Sequence, residues 1–211
     1  MHGKRGWRVT GTAMAIGALL ALTAPATAGD MPKRLRAMTP DDFRAAVAVD
    51  HDADRRRTIL STQPGFVPQP LSPIRHLLSD NHLRAVIDRD SGAIRYEVHQ
   101  SIFYWGPRRT FTAAHLPAAS GARRADLTLA DHGERFCPNE DNWGQCASTK
   151  RVAFAIDESD LRAIAARYRA DGGQAWSYRI EESGGRHWSG GISPAEAAGL
   201  LLATESLRTT G

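Results

Sequence analysis

Ile94-Arg95-Tyr96-Glu97-Val98-His99-Gln100-Ser101-Ile102-Phe103-Tyr104-Trp105 decides the class of the fold. Ile94, Tyr96, Val98, Ile102 and Tyr104 alternate with Arg95, Glu97, His99 and Ser101. A period of two puts successive side chains on opposite faces, so this is a long strand with one buried and one polar side. Gly106-Pro107 ends it, and the turn signal Asp90-Ser91-Gly92 precedes it. A turn of that composition joins antiparallel neighbours, which makes residues 82–89 the partner strand.

Outward from this hairpin, residues 57–62, 109–115, 125–129, 150–156 and 174–181 read as further strands, separated by glycine, asparagine and proline clusters. Thr39-Pro40-Asp41-Asp42 offers an N-cap, a proline at the first helical position and acids in the first turn, which predicts a helix over 40–49. Asp157 is read as the cap of a second helix, with Leu161, Ile164, Ala165 and Tyr168 on one face and Asp171-Gly172-Gly173 as its stop. Ser193-Pro194-Ala195-Glu196 is a capping box, and the helix it starts continues through Leu200, Leu201 and Leu202. The expected fold is α+β: an antiparallel sheet with two or three helices packed on one side.

The amino end reads as a secretory leader. Lys4, Arg5 and Arg8 form a basic n-region, residues 13–22 an uncharged apolar stretch, and Ala26-Thr27-Ala28 a cleavage site before Gly29. Ten helical residues rise about 15 Å, half of the roughly 30 Å hydrocarbon core, which favours a cleaved signal over an anchor. The chain then divides into residues 1–28 as signal, 29–70 as helix, strand and proline-rich loop, and 71–211 as the main α+β body. The last two are read as one domain.

Losing Lys4, Arg5 and Arg8 takes the formal charge from +4 to about +1. The longest basic run, Arg55-Arg56-Arg57, follows Asp50, Asp52 and Asp54. No cationic block remains to hold a phosphate backbone, so nucleic acid is excluded as a partner, and stable membrane insertion is not expected after cleavage. The expected location is periplasmic or secreted.

Export also governs the two cysteines, Cys137 and Cys146. An oxidising compartment favours their pairing. In the chain-entropy view, closing that ten-residue loop contributes roughly 2.7 kcal/mol.

Two loops carry the candidate binding residues. Asn139, Glu140, Asp141 and Trp143 lie inside the disulfide loop, where oxygen ligands surround an aromatic. Arg186, His187 and Trp188 lie in the glycine-rich run 184–191, read as a loop before a helix N-terminus. That run lacks the lysine of a phosphate-binding loop, and Ser189 lacks the flanking glycine of a nucleophile elbow.

Asp50, Asp52 and Asp54 suggest the start of a calcium loop, but Arg55 stands where its glycine belongs. His51-Asp52 lacks the additional ligands of a metal hydrolase, and none of the eight histidines falls in an H-E-x-x-H spacing. No cofactor and no metal is implied, and no catalytic residue is assigned. His99 and His115 read as strand residues.

Asp90-Ser91-Gly92, Tyr96, Tyr104-Trp105-Gly106, Arg109, Phe111 and Ala114, followed by Cys137, Cys146 and Phe154, resemble uncharacterised exported α+β domains of Gram-negative bacteria, across residues 57–207. The resemblance implies a periplasmic compartment and an α+β fold, and brings no active site with it.

The expected function is that of a non-catalytic binding module whose partner is an envelope protein or a small ligand. The alternative is an envelope-acting hydrolase whose histidine and carboxylate meet only in three dimensions.

Overall fold

The computed structural model describes residues 31–63, 80–118, 121–137 and 146–210. In chain order these form α1 (Lys33–Ala37), α2 (Pro40–Ala45), β1 (Ala48–Asp52), β2 (Arg57–Ser61), β3 (Asp80–Asp88), β4 (Ile94–Trp105) and β5 (Phe111–Ala118). They continue as β6 (Gly121–Phe136), β7 (Ala147–Ile156), α3 (Glu158–Ala165), β8 (Trp176–Glu182), β9 (His187–Ile192) and α4 (Pro194–Thr210). The sheet order is β1-β2-β3-β4-β7-β6-β5-β8-β9, with antiparallel neighbours throughout.

The alternation in β4 works as its sequence demands. Tyr96, Val98, Ile102 and Tyr104 are buried and pair in register with Ile156, Phe154, Lys150 and Ser148 of β7. On the other side, Tyr96 and Val98 meet Ala85 and Leu83 of β3. Asp88 Oδ1 accepts from the backbone amides of Asp90 and Ser91, which holds the β3–β4 turn.

Three strands separate β8 from β4 in the sheet, yet the Tyr178 hydroxyl of β8 donates to Gln100 Oε1 of β4 at 2.8 Å. It also accepts from Asn81 Nδ2 of β3 at 3.0 Å, and Asn81 Nδ2 reaches the Gly191 carbonyl of β9. The sheet therefore curls until its far strands lie over β3, β4 and β7. The Phe154 and Tyr178 rings meet edge-on with centroids 5.1 Å apart.

The curl is located at β6, whose first part pairs with β5 and whose second part pairs with β7. Register shifts at Leu127/Leu129 and His132/Arg135 bend it, as an extra residue in one strand does.

This geometry corrects the expectation of two or three helices packed on one side of a sheet. The described residues contain four helices, and the curled sheet fills much of its inner face with its own strands. Leu161 and Ile164 of α3 and Ala197, Leu200 and Leu201 of α4 complete that core. Leu35 and Phe43 of α1 and α2 instead form a small second cluster with Met31 and Ala195.

Local boundaries differ as well. The expected helix 40–49 stops at Ala45, and Val49 belongs to the edge strand β1. Its start is stronger than expected, because the Asp42 carboxylate accepts from the Thr39 amide and completes a capping box. Helix α3 ends at Ala165, ahead of the glycine stop, and the Asp157 side chain pairs with Arg123 instead of capping.

No helix among the described residues is long and apolar enough to cross a membrane.

Candidate functional site

Cys137 and Cys146 form the disulfide. It closes the connection between β6 and β7, directly after the register pair Phe136 and Ala147. Asn139, Glu140, Asp141 and Trp143 lie outside the described residues.

The second candidate segment is not a loop before a helix. Residues 183–186 make the tight turn of a β8–β9 hairpin, where Gly184 and Gly185 adopt φ of 101° and 83°. L side chains rarely take up those angles, which is why glycines occupy the turn. His187 and Trp188 then continue as strand β9.

Gly190 faces the Tyr178 ring so closely that a Cβ there would collide with it. These glycines serve a turn and a close packing contact, not a phosphate cradle. Arg186 donates to Glu182 at 2.6 Å, Trp188 packs against the main core, and His187 is exposed.

The structure ties both the Cys137–Cys146 disulfide and the β8–β9 turn to one connecting segment. Their link is the connection between β4 and β5. The Gly106 amide donates to the Cys146 carbonyl, and the Ser183 amide donates to the Thr110 carbonyl. Between these anchors, Arg109 stacks its guanidinium 4.9 Å from the centre of the Tyr104 ring and lies 3.7 Å from Glu182. Glu182 is 4% exposed and is held by two arginines, Arg109 and Arg186.

Beside this connection stands an aromatic pair. Trp105 of β4 and Phe136 of β6 both pair in register with Ala147 of β7, so they flank it on the face opposite the core. Trp105 is 52% exposed and Phe136 59% exposed, and Phe103 meets Trp105 edge-on at 5.7 Å.

A second constellation lies further along that face. Glu97 and His99, two positions apart on β4, share it by the period of the strand, and His82 of β3 is the register partner of His99. His99 Nε2 donates to Glu97 Oε2 at 3.0 Å, and the two imidazoles stack 5.2 Å apart.

The bond from His99, with Arg95 beside it, holds Glu97 below the usual carboxylate range although Glu97 is only 6% exposed. Burial first, then the charges of His99 and Arg84, pushes His82 down to about 4. His82 is therefore neutral at physiological pH.

The remaining candidates resolve into ordinary structure. His115 Nε2 donates to Glu181 at 2.9 Å in a half-exposed pair. Asp52 accepts from the Arg55 amide in the β1–β2 turn, and His51 bonds the Thr58 hydroxyl. Among the described residues, no group of three or more histidine, cysteine or acidic side chains is placed to hold a metal.

A cleft lined by Met31, Leu35, Met38, Tyr168 and Ala195 offers about 10 Å³. That is space for about one water, against the roughly 300–1,000 Å³ that small-molecule sites provide.

The spacing of Glu97 and His99 was visible in the sequence as two polar positions on one face. His82, Trp105 and Phe136 joined their partners only through the strand order. Comparison with protein families, curated proteins and solved structures finds no match to this chain.

Proposed function

We propose that this chain is an exported binding module whose contact surface is the end of the sheet around Trp105 and Phe136. The observation that carries the reading is the pair itself: two large aromatics, each more than half exposed, set side by side across Ala147. Exposed aromatic clusters are costly in water and supply most of the energy at protein interfaces. The disulfide loop begins one residue after Phe136, and the Arg109 and Arg186 guanidinium groups lie at the same end, which adds a polar rim.

A protein of the cell envelope fits this surface better than a small ligand does, because the surface is presented outward and the cleft beside α1 holds about one water. The disulfide and the leader-like amino end support a periplasmic or secreted location.

The test is co-purification from an envelope extract with the full chain as bait. Trp105→Ala combined with Phe136→Ser is expected to abolish capture of the partner while the melting temperature stays within about 3 °C, as for surface changes. Undiminished capture by the double variant rejects this surface.

A second reading rests on Glu97, His99 and His82. A carboxylate orienting an imidazole is the arrangement of a general base, which supports an envelope-acting hydrolase. Hydrolysis of an envelope ester or amide that disappears in His99→Asn would favour it over the binding module.

A further inference from the structure

The inner face of the sheet is apolar for most of its length and turns polar near the disulfide. On β7 the positions that share a face with Val152 and Phe154 are Lys150 and Ser148. Lys150 is 5% exposed and Ser148 3% exposed. The Lys150 ammonium donates to the Ala130 carbonyl at 3.1 Å and lies 3.5 Å from His132 Nε2. Asp131, the acid whose charge acts on Lys150, is already engaged by Arg151 at 2.5 Å.

Arg108 adds a second positive charge near both Lys150 and His132. Ser148 Oγ is buried without a hydrogen-bond partner.

An ammonium withdrawn from water, with a neutral carbonyl as its main partner, is an expensive arrangement. Lysine and arginine only donate, so the group that completes their bonding is an acceptor with negative charge and not a metal. The backbones of Ser148 and Lys150 stand about 7 Å apart along the strand, and both side chains leave it on the inner face. His132 is exposed, which opens the place to solvent on the β6 side.

We infer that Lys150, His132 and Ser148 form a binding site for a small oxyanion, the carboxylate or phosphate group of a ligand, entered past His132. The site lies on the opposite face of β7 from the Trp105 and Phe136 surface, and its success or failure is independent of that surface.

The experiment follows backbone amide resonances of the full, disulfide-bonded chain as inorganic phosphate or acetate is added at constant ionic strength with chloride. Saturable shifts at His132 and at residues 148–151 are expected, with a rise in melting temperature. Whichever of the two anions produces them identifies the preferred chemistry.

Lys150→Met should abolish saturation, and Ser148→Ala should weaken binding about threefold. In anion-free buffer Lys150→Met should melt no lower than the parent, because it removes a buried charge that makes no direct ion pair. Shifts that never saturate with either anion, or that persist in Lys150→Met, overturn the site. A lower melting temperature for Lys150→Met without anion does so too, since it would mean the ammonium is already satisfied.

Discussion

Thr62 and Glu196 are joined inside the protein by a hydrogen bond of 2.5 Å from the threonine hydroxyl to the glutamate Oε1. The Leu83 amide donates to the same oxygen at 3.2 Å, so one carboxyl group ties the start of α4 to the end of β2 and to β3. Glu196 is 2% exposed, and burial pushes its carboxyl up to about 7 against those donors.

A carboxyl raised in the folded state stabilises fully below its unfolded value, near 4.5, and that contribution is lost as pH rises through about 7. Glu196→Gln keeps an acceptor for Thr62 and Leu83 and cannot ionise. From urea unfolding at pH 4.5 and 8, its stability at the higher pH relative to the lower should exceed the parent's by on the order of a few kcal/mol. An unchanged pH slope would show that Glu196 stays charged when buried.

His82 works in the opposite sense. Its folded value of about 4 lies below the unfolded 6.5, so its contribution is complete above 6.5 and is lost as pH falls through about 4. Across pH 4.5 to 6.5 the two groups tilt stability in opposite directions and largely cancel. His82→Gln should therefore expose a decline of stability with rising pH, and Glu196→Gln an increase. Parallel profiles for the two variants would refute the pairing.

The Tyr178 hydroxyl bridges Gln100 and Asn81 across the curled sheet. Tyr178→Phe should cost about 1–3 kcal/mol, because it takes the hydroxyl donor away from the buried Gln100 Oε1. Gly190→Ala, which drives a methyl group into the ring, should cost a comparable 1–3 kcal/mol. Chemical denaturation with an unchanged m-value would measure both as losses of stability rather than of cooperativity.

Replacing both Cys137 and Cys146 by serine should lower stability by at most about 2.7 kcal/mol, the chain-entropy value for a ten-residue loop. The β6–β7 pairing survives, because Phe136 and Ala147 already hold the two strands in register. Amide exchange at 147–156 that stays slow in the double serine variant would confirm this.

Strands were legible where one face is buried and the other wetter, as in β2, β3 and β4. The edges were not. In β1, Ala48-Val49-Asp50-His51-Asp52 is exposed on nearly every residue, so burial imprints no alternation on it. In β9, Gly190 sits in a strand because the Tyr178 ring needs the room, and the glycine run looks like a loop when the ring is unknown. Helix α4 was readable from its capping box, but the same Glu196 gave no sign that it would also bind Thr62 and Leu83.

The site was less legible still. Trp105 and Phe136 became neighbours through Ala147, a residue that has no chemistry of its own. Lys150 read as the first residue of a strand, and its burial beside the Ala130 carbonyl emerged only with its position on the inner face.

β6 is a hinge-line common to both halves of the curled sheet, holding β5 along one stretch and β7 along the next. Cutting the polypeptide near Leu127 would leave each fragment with a bare strand margin and half an interior. Neither piece could then be expressed as a lasting stand-alone unit, and reassembly would require both fragments in one vessel.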